Sequence, residues 1–268
     1  MKISFHTCGL EWFSLEEAIR ELSEIGYASF GPILAPGGHL DPDTLTDSQV
    51  TAYKELAKEC NISISILNPW KIGGFSAGVA SGETERYFHR ALDLAADLGA
   101  FGVKFLPGSF PAGETNGWRV MIKVLKPLCH HAEQVGVDLL MHNHENQLID
   151  TANGFALLRH HVGSDRLQVN LDVSNMAILM DDPCRAIRDF RDNLHYIRVK
   201  GMNHYYPFAQ QCEPGAAGDI VDWEAVFLAL KEVGYAGDLE LVTYPWFSPG
   251  FHRSGYAWAK KLAEEVGV

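Results

Sequence analysis

Short apolar runs alternate with amphipathic segments along almost the whole chain. The apolar runs predict eight strands, which read KISFH, YASFGPI, ISISILN, FGVKFLPG, VDLLMHNH, LQVNLDVSN, HYIRVKG and GDLELVTY. A segment with the apolar spacing of a helix follows each strand. This order is typical of repeated strand–helix units that build a parallel sheet.

Local signals place several of the helix ends. Ser14 and Glu17 form a capping-box pattern at the start of the first helix, and Gly26 is placed to end it. Thr151 predicts the N-cap of the helix after the fifth strand. Pro183 occupies the first-turn position of the helix that we predict after the sixth strand.

The unit length favours a closed barrel. Eight units in 268 residues (268/8) leave about 33 residues for each, close to the length of one strand–helix–strand step. We therefore predict an α/β fold, a (β/α)8 TIM barrel, with residues 1–268 forming a single domain. A doubly wound open sheet is the alternative, but it usually has a glycine-rich loop after its first strand, where TCGLEW has a single glycine.

Charge and cysteine content narrow the possible partners and location. The formal net charge of -12 and the scattered basic residues disfavour binding to nucleic acid or to an anionic membrane. Five widely separated cysteines show neither zinc-ribbon nor redox spacing and suit a reduced, cytoplasmic location. We recognise no signal peptide and no apolar run of membrane-spanning length.

Polar side chains stand where the predicted strands end, which is the edge of a barrel that holds active sites. Converging side chains of this kind favour a ligand-binding mouth over core packing. Taken alone, a histidine in the position of His6 is more often a hydrogen-bonded structural imidazole than a ligand. The strand-end residues are His6, Asn68, Lys104, His142, His144, Asp172, Asn175, Arg198, Lys200, Glu240, Thr243 and Tyr244.

Five of these residues suggest specific chemistry. His142 and His144 are two positions apart on the fifth strand and should face one space, as metal ligands or as an acid/base pair. A carboxylate such as Asp172 at a buried strand end needs a cation or several donors. Lys104 and Lys200 are either bases or Schiff-base amines, or they bind a substrate oxygen or pair with an acid.

Aromatic residues cluster in the predicted mouth loops. The segment MNHYYPFAQQCEPGAAGD after the seventh strand, together with Trp70, Phe75, Trp246 and Phe247, suits a lid and walls around a sugar or a flat ring. The same residues equally suit a cover for the core or a contact between subunits, so the sequence leaves open whether the protein forms a homo-oligomer.

Four motifs resemble the xylose isomerase-like barrels, a family that includes sugar phosphate isomerases and epimerases and the endonuclease IV group. GVDLLMHNHENQLIDT is similar to the family's fifth-strand motif, NLDVSN to its Asp-x-x-His, and HYIRVKG to its His-x-Lys-Asp. DIVDWEAVFLALKEVGYAGDLELV is similar to its Asp-Trp helix and final strand, and is the most specific match. The resemblance covers almost the whole chain.

The resemblance implies a divalent metal held by Glu, Asp, His and Glu, but the matching positions here are His142, Asp172, Arg198 and Val242. Arginine has no lone pair to give a metal, so we expect no metal cofactor. We predict instead that Arg198 forms a forked salt bridge with Asp172, with Glu240 beneath them. A residual zinc or manganese site on His142 and Asp172 is the alternative.

The resemblance implies a carbohydrate or polyol substrate, isomerised or epimerised by proton transfer next to a carbonyl. The predicted catalytic residues are His142, His144 and Lys200. The predicted substrate-binding residues are His6, Asn68, Trp70, Lys104, Asp172, Arg198, Glu240 and Trp246. A non-catalytic barrel that binds a sugar-like ligand or a partner is the alternative, whereas the net charge and missing ligands disfavour an endonuclease IV-like enzyme.

Overall fold

The predicted strand positions form one parallel sheet. The structure, a computed structural model, describes residues 1–69, 82–108 and 117–268. Its strands are β1 (Lys2–His6), β2 (Ser29–Gly31), β3 (Ile33–Leu34), β4 (Ser63–Ile64), β5 (Ile66–Pro69), β6 (Gly102–Phe105), β7 (Asp138–His142), β8 (Leu167–Asp172), β9 (Leu194–Val199), β10 (Gly201–Met202), β11 (Gln211–Cys212) and β12 (Asp238–Leu241).

The strand order closes the sheet into a barrel. The order is β3-β5-β6-β7-β8-β9-β12-β1-β2-β4, with β10 and β11 in a separate antiparallel pair. β2 and β3 are two pieces of the second barrel strand, on either side of Pro32, which has no backbone N–H for the ladder. Because β2 pairs with β4 and β3 pairs with β5, the two edges of the sheet meet. The predicted single-domain (β/α)8 barrel is confirmed, while its exact bounds, residues 1–268, stay a prediction.

Helices cover the outside of the barrel, and their ends follow the sequence signals. Ser14 and Glu17 make the predicted capping box, and Gly26 ends the first helix at a φ of 110°. Thr151 and Pro183 also begin helices as predicted. The helices are a 3-10 turn (Thr7–Leu10), α1 (Leu15–Ile25), α2 (Asp47–Glu59), α3 (Gly82–Leu98), α4 (Gly117–Val135), α5 (Ala152–Val162), α6 (Val173–Ile178), α7 (Pro183–Asp189), α8 (Trp223–Glu232) and α9 (Phe251–Val266).

Alternation along the strands separates an apolar outer face from a polar interior. Outward residues such as Phe5, Val103 and Leu139 join the large core between sheet and helices. Every second residue points the other way, and many of these interior residues are buried and polar or charged. Examples are Ser4, Ser65, Lys104, His142, Asp172, Arg198 and Glu240. The barrel interior therefore contains an ionic cluster that a purely apolar core would exclude.

Two findings bear on the expected location. Within the described residues, every helix is too short or too polar to cross a membrane. All five cysteines are free thiols. The cytoplasmic location itself stays a prediction.

Candidate active site

A cavity of about 280 Å³ opens at the carboxyl ends of the barrel strands. Its polar lining comes from Lys104, His142, His144, Asp172, Arg198, Lys200 and Gln211. Pro69, Leu106, Val242 and Tyr244 supply the rest. The cavity thus brings together seven of the predicted strand-end residues, Tyr244 included.

Arg198 forms its ion pair with Glu240, not with Asp172. The strand register sets Arg198 between Asp172 on β8 and Glu240 on β12. The Arg198 Nε lies 3.4 Å from the Glu240 Oε2, and both side chains are almost fully buried. Burial alone would lower the pKa of Arg198, but the Glu240 and Asp172 carboxylates raise it. The predicted Arg198–Asp172 salt bridge is therefore wrong.

Asp172 pairs with Lys200 instead. The Lys200 Nζ lies 3.2 Å from Asp172 Oδ2 and donates to Asn175 Oδ1 at 2.8 Å. The other carboxylate oxygen, Oδ1, accepts the backbone N–H of Asn175 at 2.9 Å and so caps α6. Asp172 is thus held by a cation and by the first turn of α6.

His142 and His144 face one space although the strand ends at His142. Their ring centroids are 5.9 Å apart. His142 is 3% exposed, and its Nε2 lies 3.8 Å from Asp172 Oδ2. His144 is more open, and its Nδ1 lies 2.8 Å from Glu145 Oε2. Burial, with Arg198 and Lys104 nearby, holds the pKa of His142 well below its ordinary value, so this imidazole is neutral near pH 7.

Glu240 lies in a polar layer beneath the cavity. Its Oε1 accepts from Asn68 Nδ2 and from the Tyr196 hydroxyl, each at 3.2 Å. Tyr196 in turn contacts the Ser4 and Ser65 hydroxyls at 3.1 and 2.8 Å. Burial raises the pKa of Glu240, and Arg198 and Lys104 oppose that rise.

Tyr196 was not predicted as a site residue, although its position in the sequence carries a signal. Tyr196 precedes Arg198 by two residues on β9 and so shares its interior face. Gln211 was also missed. It lies on β11, lines the cavity, and donates to the carbonyl oxygen of Val242 at 3.1 Å. No local pattern marks this glutamine, because its position depends on the fold of the long loop after β9.

Lys104 adds a third cation to the cavity. It is 3% exposed on β6. Burial, and next the charge of Arg198, lower its pKa to about 7. Near neutral pH this amine therefore changes between a charged hydrogen-bond donor and a neutral base.

The low pKa of Lys104 predicts a specific pH dependence of stability. An unfolded lysine keeps its proton to about pH 10.4, whereas folded Lys104 loses it near pH 7. The unfolded chain then binds more protons, so the unfolding free energy should rise from pH 7 to 9, by at most about 1.4 kcal/mol per pH unit. Urea unfolding of wild type and Lys104→Met between pH 6 and 9 tests this rise. The unfolding free energy of wild type should increase relative to that of the variant as the pH rises. Parallel curves would contradict the shift.

The remaining predicted residues lie at three other places. His6 accepts the backbone N–H of Cys8 at 3.0 Å and caps the 3-10 turn, so it is a hydrogen-bonded structural imidazole. Asn68 belongs to the layer beneath the cavity. Trp246 lines a neighbouring cavity and stacks on Tyr244. Trp70 and Phe75 lie outside the described residues.

One departure from the family pattern has a steric cause. Gly201 stands where the family has the Asp of His-x-Lys-Asp. It pairs with Cys212 between β10 and β11, and a Cβ on it would lie 2.5 Å from the Glu213 carbonyl oxygen. A side chain at this position would therefore force the two strands apart.

The described residues do not fit the divalent metal that the family pattern implies. Arg198 and Val242 have no donor to offer, and the two carboxylates already pair with Arg198 and Lys200. A divalent ion would also lie beside these cations and Lys104. Residues 1–69, 82–108 and 117–268 contain no group of three or more His, Cys, Asp or Glu side chains arranged to hold a metal.

The fold and the strand-end cavity define a TIM barrel with a candidate site at the carboxyl ends of its strands. A model of the xylose isomerase-like TIM barrel family matches residues 19–262, and the chain belongs to this family. An L-ribulose 3-epimerase of Mesorhizobium japonicum is 26% identical over 244 residues, which cover 86% of this chain and 75% of that enzyme.

Two solved structures have the same fold. A D-tagatose 3-epimerase-like protein superposes with a TM-score of 0.82 at 15% identity, covering 100% of this chain and 98% of the other. The 3-keto-D-glucoside 4-epimerase of E. coli superposes with a TM-score of 0.79 at 18% identity, covering 97% and 99%. At these identities the likeness establishes the fold alone.

Proposed function

We propose that this chain is an isomerase or epimerase that moves a proton next to the carbonyl of a carbohydrate or polyol substrate, without a divalent metal. One observation carries the proposal. Two buried basic side chains, Lys104 and Arg198, and the partly buried Lys200 line a ring-sized cavity that also contains the neutral imidazole of His142. The names of the relatives, which include an L-ribulose 3-epimerase, support a sugar substrate.

The cations have the charge that the reaction requires. Removing a proton next to a carbonyl creates an enediolate, whose negative oxygen is stabilised by preorganised donors in a water-poor site. Arg198 and Lys200 are held in place by Glu240 and Asp172, so they need little reorganisation. They therefore take the role of binding and stabilising the substrate oxygen.

His142 is the proposed proton acceptor. It is neutral near pH 7, and its Nδ1 has no hydrogen-bond partner among the described residues. When it takes a proton, Asp172 Oδ2 at 3.8 Å stabilises the imidazolium. His144 and Lys200 are the proposed donors that return a proton to the substrate.

Solvent isotope exchange tests the proposal. Ketoses and aldoses are incubated with the protein in deuterium oxide, and proton NMR follows loss of the signal at the carbon next to the carbonyl. We expect exchange with at least one sugar after dialysis against EDTA. Binding of a sugar without any exchange would contradict the enzymatic proposal.

Metal analysis tests the second half of the proposal. We expect protein grown with added zinc and manganese, and purified without chelator, to hold no stoichiometric metal, because Arg198 and Lys200 already compensate the carboxylates. Plasma mass spectrometry measures the content. Near one metal ion per chain would restore the alternative site on His142 and Asp172.

A specific observation favours the alternative of a non-catalytic binding barrel. Asp172 and Glu240 are both held by cations, and the family's second acid/base carboxylate is Val242 here. A two-base epimerisation thus lacks its second carboxylate. The isotope experiment separates the alternatives, since a binding barrel retains affinity for the sugar and leaves its protons in place.

A further inference from the structure

A second cavity, of about 350 Å³, lies beside the first and has no role in the proposed proton transfer. Its lining includes three aromatic side chains, Phe13, Tyr53 and Trp246, and two carboxylates, Glu11 and Glu16. It is formed by the segment after β1, the loop after β3, and the loop after β12. It therefore opens at the same end of the barrel as the candidate active site.

A pair of stacked rings joins the two cavities. Tyr244 lines the first cavity and Trp246 the second, and their centroids are 4.7 Å apart with ring planes at 17°. Trp246 remains 64% exposed although Tyr244 covers one of its faces. Its other face is thus a supported, solvent-facing platform.

An apolar cluster packs between the linings of the two cavities. Cys8 and Ile33, which line the second cavity, pack with Val242, which lines the first. The Cys8 thiol donates to the carbonyl oxygen of Thr243, next to Tyr244. A ligand that occupies both cavities would therefore lie across this packed cluster.

The second cavity differs from the first in charge. Its described lining contains Glu11 and Glu16 but neither lysine nor arginine. His39 also lines this cavity. Burial lowers its pKa, and its two nitrogens lie 2.7 Å from Thr7 Oγ1 and 3.0 Å from the Phe13 carbonyl oxygen. Phosphate or carboxylate groups would be repelled there, whereas neutral hydroxyls can donate to the glutamates.

We propose that the second cavity binds the non-reacting ring of a neutral glycoside, while its ketose ring lies in the first cavity. The inference rests on the proposed function and narrows its substrate class from carbohydrates and polyols in general to glycosides. Each cavity lies near the lower end of the size range of ligand pockets, so each suits one ring rather than a disaccharide. Trp246 then packs on the apolar face of the non-reacting ring, and Glu11 and Glu16 accept from its hydroxyls.

Calorimetry with ketose disaccharides tests the inference. The probes are D-fructose, lactulose, turanose and isomaltulose, which present a second ring at different positions on the fructose. We expect at least one disaccharide to bind wild type at least about tenfold more tightly than fructose. In Trp246→Ala this affinity ratio should fall towards one.

Trp12→Ala is the matched control, because Trp12 is 69% exposed and lies outside the cavity lining. It should leave the affinity ratio unchanged, and thermal melting checks that both variants fold. Equal binding of fructose and all disaccharides to wild type overturns the inference and leaves the proposed function standing. The inference is also overturned if Trp246→Ala changes the oligomeric state and leaves the affinity ratio of disaccharide to fructose unchanged, since Trp246 is then a subunit contact. If no sugar binds, both proposals fail.

Discussion

Replacing Arg198 by methionine is expected to lower the unfolding free energy by about 3–5 kcal/mol, the usual cost of removing one partner of a buried ion pair. Glu240 is completely buried, and the guanidinium Nε of Arg198 lies 3.4 Å from its Oε2. Without it the carboxylate stays in the barrel interior, where burial already raises its pKa. Urea unfolding at pH 7 measures the loss.

Two further variants separate the ion pair from a general effect of arginine removal. Arg198→Met combined with Glu240→Gln should recover much of the loss, because no unpaired charge is then buried. Arg188→Met breaks an exposed pair with Glu232 at 2.9 Å, which should cost at most about 1 kcal/mol. A single Arg198→Met variant as stable as the double variant would show that Glu240 is already protonated.

Replacing His142 by asparagine is expected to slow the proposed isotope exchange by about 10²–10⁴-fold, the usual contribution of a positioned acid/base group. The amide keeps a polar side chain near Asp172 but cannot accept the proton. Single-turnover exchange rates in deuterium oxide, followed by proton NMR, measure the change. Affinity for the same sugar should change much less than the rate.

His144→Asn is the matched control for this variant. His144 is 5.9 Å from His142 between ring centroids, but it is more exposed and paired with Glu145. Its loss should cost less than the loss of His142. If His144→Asn abolished exchange while His142→Asn retained it, the proton would pass through the outer histidine and our assignment of the base would be wrong.

The sequence predicted the barrel well because each strand carries its own signal. Alternation placed Arg198 and Lys104 at strand ends, and local capping patterns at Ser14 and Thr151 fixed helix starts. The short helix α6 was missed, since it directly follows β8 and its first three residues, VSN, were assigned to the end of the predicted strand LQVNLDVSN. The division of the second strand at Pro32 was likewise not predicted.

Sequence periodicity could not predict which charged side chains pair inside the site. Strand register puts Asp172 and Glu240 on either side of Arg198, so alternation alone cannot choose between them. The choice depends on side-chain geometry and on Lys200, which approaches Asp172 from beyond the end of β9. Trp246 showed the same limit, since its cavity depends on where three loops meet.

The cation-rich cavity also has a kinetic consequence. The chain as a whole carries a formal charge of -12, yet the described lining of the cavity contains Lys104, Arg198 and Lys200 but one carboxylate, that of Asp172. An anionic ligand must first approach a repelling exterior, and salt screens that long-range repulsion far more than it screens buried pairs. Its association rate should therefore increase with ionic strength while its dissociation rate stays nearly constant. A neutral sugar would enter at a rate that salt leaves unchanged.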